Sequence, residues 1–347
     1  MLDVLNRLGT ATATRMLGLP EPLLRPLIGG THSVDGNTLE PAVQLMLRLD
    51  SALSVAGTEG GSVDQRRKEM VRGARLAMPE PRHVASEKIS IPTASGNIDG
   101  RKYRDHRWGD SKRPTIVYFH GGGWVVGDLD SHDAVCRQIT TGSNCNVLAV
   151  DYRRAPEHPF PAAVDDAVAA FRWTRDHPEE IDIPKAVAVM GDSAGGNLAA
   201  VVSMVVRDAG DQLPIAQGLI YPGTDLRMNT PSIASFAEGY FLSRADMEWY
   251  RGHYVPDPDL WRHPQVSPLL AADHRNLPPT AIWTAGFDPL RDEGMAYAQV
   301  LRDSGIPVLE RCYTDQVHGF ASMGILPGGV TRIRAMADQV AGLMPVG

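Results

Sequence analysis

The sequence predicts an α/β protein, with a mostly parallel central sheet flanked by helices and a helical cap subdomain added to it. Three observations carry that prediction. From Ser86 onward, strand-like runs alternate with helical stretches, the order that builds a largely parallel sheet. The runs are short and apolar, as strands covered on both faces are. One connection between two of them, Pro222 to Pro279, is 58 residues long, far beyond the usual few, so it holds a folded insertion.

Residues 1–85 differ in character from the rest and read as helical. Leu39, Val43, Met46, Leu47 and Leu53 fall near one helical face, and Pro41 suits a first turn. Val63–Met78 is a second amphipathic stretch, with Arg66, Arg67 and Lys68 on its polar side. The pair reads as helices packed on the main body rather than as a membrane contact. Residues 1–30 are expected to be a mobile arm, because Pro20, Pro22, Pro26 and Gly29–Gly30 interrupt any long helix.

The main body begins with "EKISIPTASGNIDGRKYR", two strands about a Ser-Gly-Asn turn. Strands are then predicted at Thr115–Phe119, Val147–Asp151, Val187–Met190, Gly218–Tyr221, Thr280–Thr284 and Val308–Tyr313. Between them lie helical stretches such as "AAVDDAVAAFRW", apolar at Val164, Val168 and Phe171. The insertion is rich in aromatics, among them Phe236, Phe241, Tyr250 and Trp261, which either form a small core of their own or line a ligand cavity. Ser243 with Asp246 has the spacing of a capping box that starts a helix inside it. The chain thus divides into an N-terminal helical region (1–85), a main body (86–221 and 280–347) and an insertion (222–279).

Chemistry concentrates around one serine. In "VMGDSAGGNLAAVVSMVV" Ser193 stands between Gly191 and Gly195 where an apolar run becomes a small-residue helix. With 34 glycines in the chain, two at a fixed spacing recur at about one position in a hundred by chance, so GxSxG alone says little. The strand-turn-helix context is what makes it specific. A sharp turn projects Oγ above the sheet edge, and side chains two residues to either side would collide. A serine hydroxyl needs a base, and the base needs a third group to hold it. In such a site the acid and then the histidine follow the serine. Of His253, His263, His274 and His318, only His318 comes just after a strand, where its loop can reach the serine. The acid belongs on the loop after the preceding strand, "AGFDPLRDEG". There Asp288 comes first and is fixed by Pro289, whereas Asp292 suits a helix N-terminus. "HGGGW", His120–Trp124, supplies glycines whose N–H groups can turn toward an oxyanion, with Ala194 N–H as a further donor. The loop fits neither GxGxxG nor a P-loop, which sets nucleotide binding aside.

Together these motifs resemble the bacterial hormone-sensitive-lipase-like (family IV) esterases of the α/β-hydrolase superfamily. The resemblance runs from about His120 to Phe320 through "HGGGW", "DYRRAPEHPFPAAVDDA", "GDSAGG", "DPLRDEG" and "HGF", in the family's order. It implies the α/β-hydrolase fold, a triad of Ser193, Asp288 and His318, and oxyanion donors from the N–H groups of Gly122, Gly123 and Ala194. It also implies a cap built from the N-terminal helices and the insertion, and a homodimer formed through the last strand, "VLERCYT". Arg154 departs from the family's leucine in "DYRLAPE", a change of local packing away from the triad. The expected activity is a serine carboxylesterase acting on short- to medium-chain esters, with an amide or peptide hydrolase as the alternative. A non-catalytic ligand receptor on the same fold is the third reading, and the intact triad argues against it.

The 43% hydrophobic and 22% charged content is ordinary for a soluble globular protein with a sizeable core. Net charge is −7 with no long basic run, which argues against nucleic acid as a partner. Three cysteines without CxxC spacing suit neither a disulfide framework nor a zinc site, and no metal or organic cofactor is expected. With no signal-peptide core and no membrane-length apolar stretch, the expected location is the cytoplasm.

Overall fold

A computed structural model describes residues 9–53, 61–109, 111–179 and 186–345. The side chain of Leu53 lies outside the described residues.

Eight strands form the central sheet: β3 (Val84–Thr93), β4 (Gly96–Asp105), β5 (Thr115–Phe119), β6 (Asn146–Val150), β7 (Val187–Asp192), β8 (Gln217–Ile220), β9 (Thr280–Phe287) and β10 (Val308–Val317). A two-residue hairpin, β1 (Ser33–Val34) and β2 (Asn37–Thr38), precedes them. The sheet order is β10-β9-β8-β7-β5-β6-β4-β3. Neighbours from β10 to β6 are parallel, and β4 and β3 complete the sheet antiparallel. All six strands expected beyond the first hairpin form. Their parallel pairing needs crossovers, and the helices that make them cover both faces.

On one face lie α6 (Ala162–Asp176), α7 (Ala194–Asp208) and α10 (Arg291–Asp303), where Phe171, Leu198 and Tyr297 pack on Val117, Phe119 and Val189. On the other lie α5 (Asp133–Ser143) and α11 (Gly329–Leu343), where Ile139, Ile333 and Met336 pack on Ile116, Tyr118 and Met190. Successive residues of β5 and β7 therefore enter opposite cores, and every residue of both strands is buried.

The last two strands run past their neighbours. From Val308 paired with Thr280 through Tyr313 paired with Ala285 the register is even; it then shifts, so that Val317 stands opposite Phe287. β10 therefore carries two more residues than β9 over this interval, a bulge. Gly286 admits it, because a Cβ there would collide with the Thr314 carbonyl.

The N-terminal region departs from expectation. Residues 10–28 are not an arm: α1 (Thr10–Leu17) and α2 (Glu21–Ile28) are folded, with Ala13, Leu17, Leu24 and Ile28 buried. Pro20 separates the two helices, and Pro22 sits in the first turn of α2, where a missing N–H loses nothing. Pro26 lies inside α2 and removes one helical bond, which the burial of Leu24 and Ile28 offsets. These side chains join Val43 and Met46 of α3 (Pro41–Leu53) in a third core with Phe236, Phe287 and Val317. That core lies against the ends of β9 and β10. α4 (Val63–Ala77) follows, with Ser62 accepting the Gln65 N–H as its N-cap.

The insertion holds α8 (Pro231–Ser235) and α9 (Arg244–Tyr254). Ser243 and Asp246 close the expected capping box on α9. Its aromatics form no separate core. Tyr254 stacks on Trp124 at 4.3 Å between ring centroids, and Phe236 packs edge-on to Phe287.

Candidate active site

Ser193 follows the last residue of β7 and precedes the first of α7, with φ 54° and ψ −117°. A non-glycine residue pays for positive φ, and such strain persists only where the surroundings impose it. Gly191 and Gly195 make room for the turn: a Cβ on Gly191 would strike the Gly195 carbonyl, and one on Gly195 the Phe119 carbonyl. The Ser193 N–H donates to Ile220 O at 2.8 Å, and the hydroxyl faces the cavity.

Asp288 and His318 are the residues that follow the paired ends Phe287 and Val317, so the sheet delivers them side by side. Asp288 is fully buried; its Oδ1 accepts the Leu290 N–H at 2.8 Å, and its Oδ2 lies 2.8 Å from His318 Nδ1. A carboxylate only accepts, so Nδ1 carries the proton and Nε2 is left to accept from the Ser193 hydroxyl, 3.0 Å away. Tyr221 supports the imidazole from one side, its ring 4.5 Å from that of His318. The geometry brings together the three residues singled out in the sequence. Asp292 is elsewhere engaged, pairing with Arg291 and accepting the Ser232 N–H. His274 is buried against Pro268 O, His253 sits on Trp249, and His263 sits on Phe160.

The glycine loop after β5 lies across from Ser193. Gly122, Gly123 and Trp124 all have positive φ, at 114°, 59° and 60°. No side chain fits the first two positions: a Cβ on Gly122 would strike Val126 O, and one on Gly123 the Tyr250 ring. Gly122, Gly123 and Ala194 line one cavity with Ser193 and His318. Backbone N–H groups at such positions can stabilise an oxyanion that develops next to Ser193.

Buried polar groups hold this loop. Asp192 Oδ1 accepts the Gly121 N–H at 2.9 Å and the Tyr118 hydroxyl at 2.6 Å, with His132 Nε2 at 3.5 Å. Burial opposes its charge, but His132 and the Tyr118 hydroxyl outweigh it and hold its pKa below the usual range. Burial together with His132 lowers His120 to about 3, so its imidazole is neutral, and Nδ1–H donates to Gly121 O at 2.8 Å. Arg154 reaches the Gly127 carbonyl at the far end of the loop, a contact that leucine could not make. In the cavity wall, Glu293 Oε1 accepts the N–H groups of Thr224 and Asp225, and burial raises its pKa well above the ordinary value.

The cavity measures about 460 Å³ and is lined mainly by apolar groups. Leu226, Phe241, Met247 and Tyr250 come from the insertion, Met70 from α4, and Leu290 from the main body. Of the insertion's aromatics, then, two face the cavity. Sequence reasoning missed Tyr118, His132 and Tyr221, which reach the site from separate strands and loops with no local motif to mark them. Among the described residues, no group of three or more His, Cys, Asp or Glu could hold a metal ion. None of the described helices is long and apolar enough to cross a membrane.

Comparison with known proteins gives one consistent picture. A family model for the alpha/beta hydrolase fold matches residues 116–322. The chain is 43% identical over 323 residues to the carboxylic ester hydrolase LipN of Mycobacterium tuberculosis, covering 90% of this chain and 85% of that protein. It is 38% identical over 291 residues to the esterase LipI of the same organism, covering 82% and 87%. Among solved structures, an ester hydrolase from the metagenome of Lake Arreo, complexed with a bipyridine phosphonate derivative, superposes with a TM-score of 0.82 at 40% identity. That alignment covers 88% of this chain and 98% of the other. A thermostable esterase from Pseudomonas putida superposes with a TM-score of 0.86 at 29% identity, covering 91% and 100%.

Proposed function

The chain belongs to the alpha/beta hydrolase family, among the bacterial carboxylic ester hydrolases, and from that premise we propose that Ser193, His318 and Asp288 are its catalytic triad. The single observation that carries this reading is the hydrogen-bonded chain Asp288–His318–Ser193 beneath the glycine loop. Ser193 Oγ attacks the ester carbonyl carbon while His318 Nε2 takes its proton. The carbonyl oxygen becomes an oxyanion facing the N–H groups of Gly122, Gly123 and Ala194. His318 returns the proton to the leaving alcohol, and the acyl group stays on Ser193. A water then gives its proton to His318 and adds to the acyl carbon, the bond to Ser193 Oγ breaks to release the acid, and His318 returns the proton to Oγ. Asp288 keeps the imidazole in the tautomer that accepts from serine and stabilises the imidazolium that forms.

The cavity sets the acyl range. The N-terminal helices and residues 222–279 act as a cap over it. Each buried CH₂ contributes about 0.8 kcal/mol, so kcat/KM rises along the shortest chains. It falls once the chain meets the closed end, because overpacking costs more than a methylene supplies. The test is a p-nitrophenyl ester series of graded acyl length, with the matching anilides and with Ser193→Ala as the control. The optimum is expected at short to medium length, with esters far ahead of anilides. A best rate on long-chain esters removes the size reading, and comparable anilide turnover points to an amide hydrolase. The edge position of β10 supports a homodimer, which light scattering showing only monomer would exclude. Three free thiols, Cys136, Cys145 and Cys312, support a reducing, cytoplasmic setting.

A further inference from the structure

The oxyanion loop is gripped from outside the main body. Arg67, on α4, stands 58 positions before Val125 in sequence, yet its Nε donates to Val125 O at 2.9 Å. Its Nη2 donates to Ala155 O at 2.9 Å. Nη1 and Nη2 also hold the two oxygens of Glu157, at 2.8 and 2.7 Å. Val125 belongs to the turn that shapes the glycine loop, its own N–H returning to Gly122 O at 3.1 Å. Ala155 is paired with the same loop, donating its N–H to Trp124 O at 2.9 Å. One guanidinium therefore spans the outer side of the loop and the segment that braces it. The fork geometry is what allows this, because the bonds diverge within one plane, as an ammonium's three donors cannot.

We propose that Arg67 is a positioning residue for ester hydrolysis: it fixes the loop that presents the Gly122 and Gly123 N–H groups to the oxyanion. The inference rests on the oxyanion reading above. Its consequence is that a helix outside the catalytic sheet governs transition-state stabilisation as well as pocket shape. Oxyanion donors act only when held where the charge develops, and a small displacement weakens them in the transition state more than in the bound substrate. Neighbouring Arg66 faces the other way, pairing with Asp246 of α9 at 3.0 Å and lying over the Trp249 ring. Adjacent arginines on α4 thus tie it to the oxyanion loop and to the insertion.

The test uses the full chain and p-nitrophenyl butyrate. Arg67→Met is expected to lower kcat by about 10- to 100-fold with KM within about twofold, less than the loss of a whole oxyanion donor. Arg67→Lys, which keeps the charge and can meet one carbonyl, should recover part of that loss and serves if the methionine variant fails to fold. Glu157→Gln leaves both carbonyl bonds in place and should lose no more than about threefold. A trifluoromethyl ketone gives a direct readout: Ser193 Oγ adds to its carbonyl carbon, His318 takes the proton, and the carbonyl oxygen becomes the oxyanion. Its inhibition constant should weaken with Arg67→Met by the same factor as kcat. Unchanged kcat and ketone affinity in both Arg67 variants overturn the proposal. So does a loss in which KM rises in step with melting and Glu157→Gln behaves alike. Undiminished turnover by Ser193→Ala would instead remove the Ser193 reading itself, whatever the Arg67 variants do.

Discussion

The sheet and the N-terminal helices are held in contrasting ways. Every residue of β5 and β9 is buried, and their side chains enter cores on both faces. On α1 and α2 only one side is covered, and Leu23 and Leu27 of α2 are 58% and 48% exposed. What ties the N-terminal region to the rest is a small apolar core and a set of polar grips, among them His32 to the Tyr240 hydroxyl at 2.7 Å, Asp35 to Arg291, Glu40 to Gln316, Arg66 to Asp246, and Arg67 to the oxyanion loop. The reacting groups stand on the rigid part, and the shape of the cavity depends in part on the looser one. Positional accuracy comes from ladder hydrogen bonds and close packing, whereas α1 and α2, which unlike α4 make no hydrogen bond to the oxyanion loop among the described residues, can change without disturbing the chemistry.

The sharpest way to break this contrast is at the serine. Ser193→Ala and His318→Ala should each lower kcat by about four to six orders of magnitude, with an unchanged circular dichroism spectrum, because the members act as a unit. Asp288→Asn should cost about 10⁴, whereas Asp292→Asn, at the start of α10, should cost less than about tenfold. If the Asp292 variant proves the worse of two folded proteins, the acid has been misassigned.

A smaller effect separates the two regions by stability. Phe171→Ala, in the core beneath the sheet, should lose about 3–5 kcal/mol in urea unfolding. Leu23→Ser, on the exposed side of α2, should stay within about 0.5 kcal/mol. Similar losses at the two positions would mean that the outer helices are as deeply integrated as the sheet.

The smallest effect is a slope with pH. His120 is held near 3 by burial and by His132, against about 6.5 in an unfolded chain. Above pH 6.5 neither state binds the proton, and the contribution of this group is fully present. As pH falls toward 3 only the unfolded chain takes up the proton, so stability drops by about 1.4 kcal/mol per unit from this group. Urea midpoints between pH 7.5 and 4.5 should fall less steeply in His120→Asn, and identical slopes would refute the assignment.

Much of the site is legible in the sequence because its parts are local. A strand, a tight turn and a helix announce Ser193 within a dozen residues, and Asp288 and His318 sit on loops that directly follow predicted strands. The outer region was less legible. Proline punctuation suggested an arm at residues 1–30, and only burial against Phe236, Phe287 and Val317 shows why two short helices persist there. Arg66 and Arg67 read as the polar side of an amphipathic helix, which they are. Their partners lie 58 to 180 positions away, and no spacing rule encodes such pairs. The aromatics of the insertion were divided between two readings because composition cannot say which ring meets the cavity and which meets the sheet.

The bulge in β10 makes the chain intolerant of single-residue length changes at one short interval. Between Tyr313 and Val317 the strand carries two more residues than its neighbour, an even number, so the alternation of faces survives and His318 arrives beside Asp288. Deleting a single residue from 314–316 would reverse the parity and turn the imidazole toward the opposite face of the sheet. Deleting two would remove the bulge and leave β10 in even register with β9, with Val317 still opposite Phe287. Recombination among relatives at this point should therefore yield active progeny when the crossover keeps the parity of this interval and inactive progeny when it shifts it by one residue, although the same shift in a surface loop would be harmless.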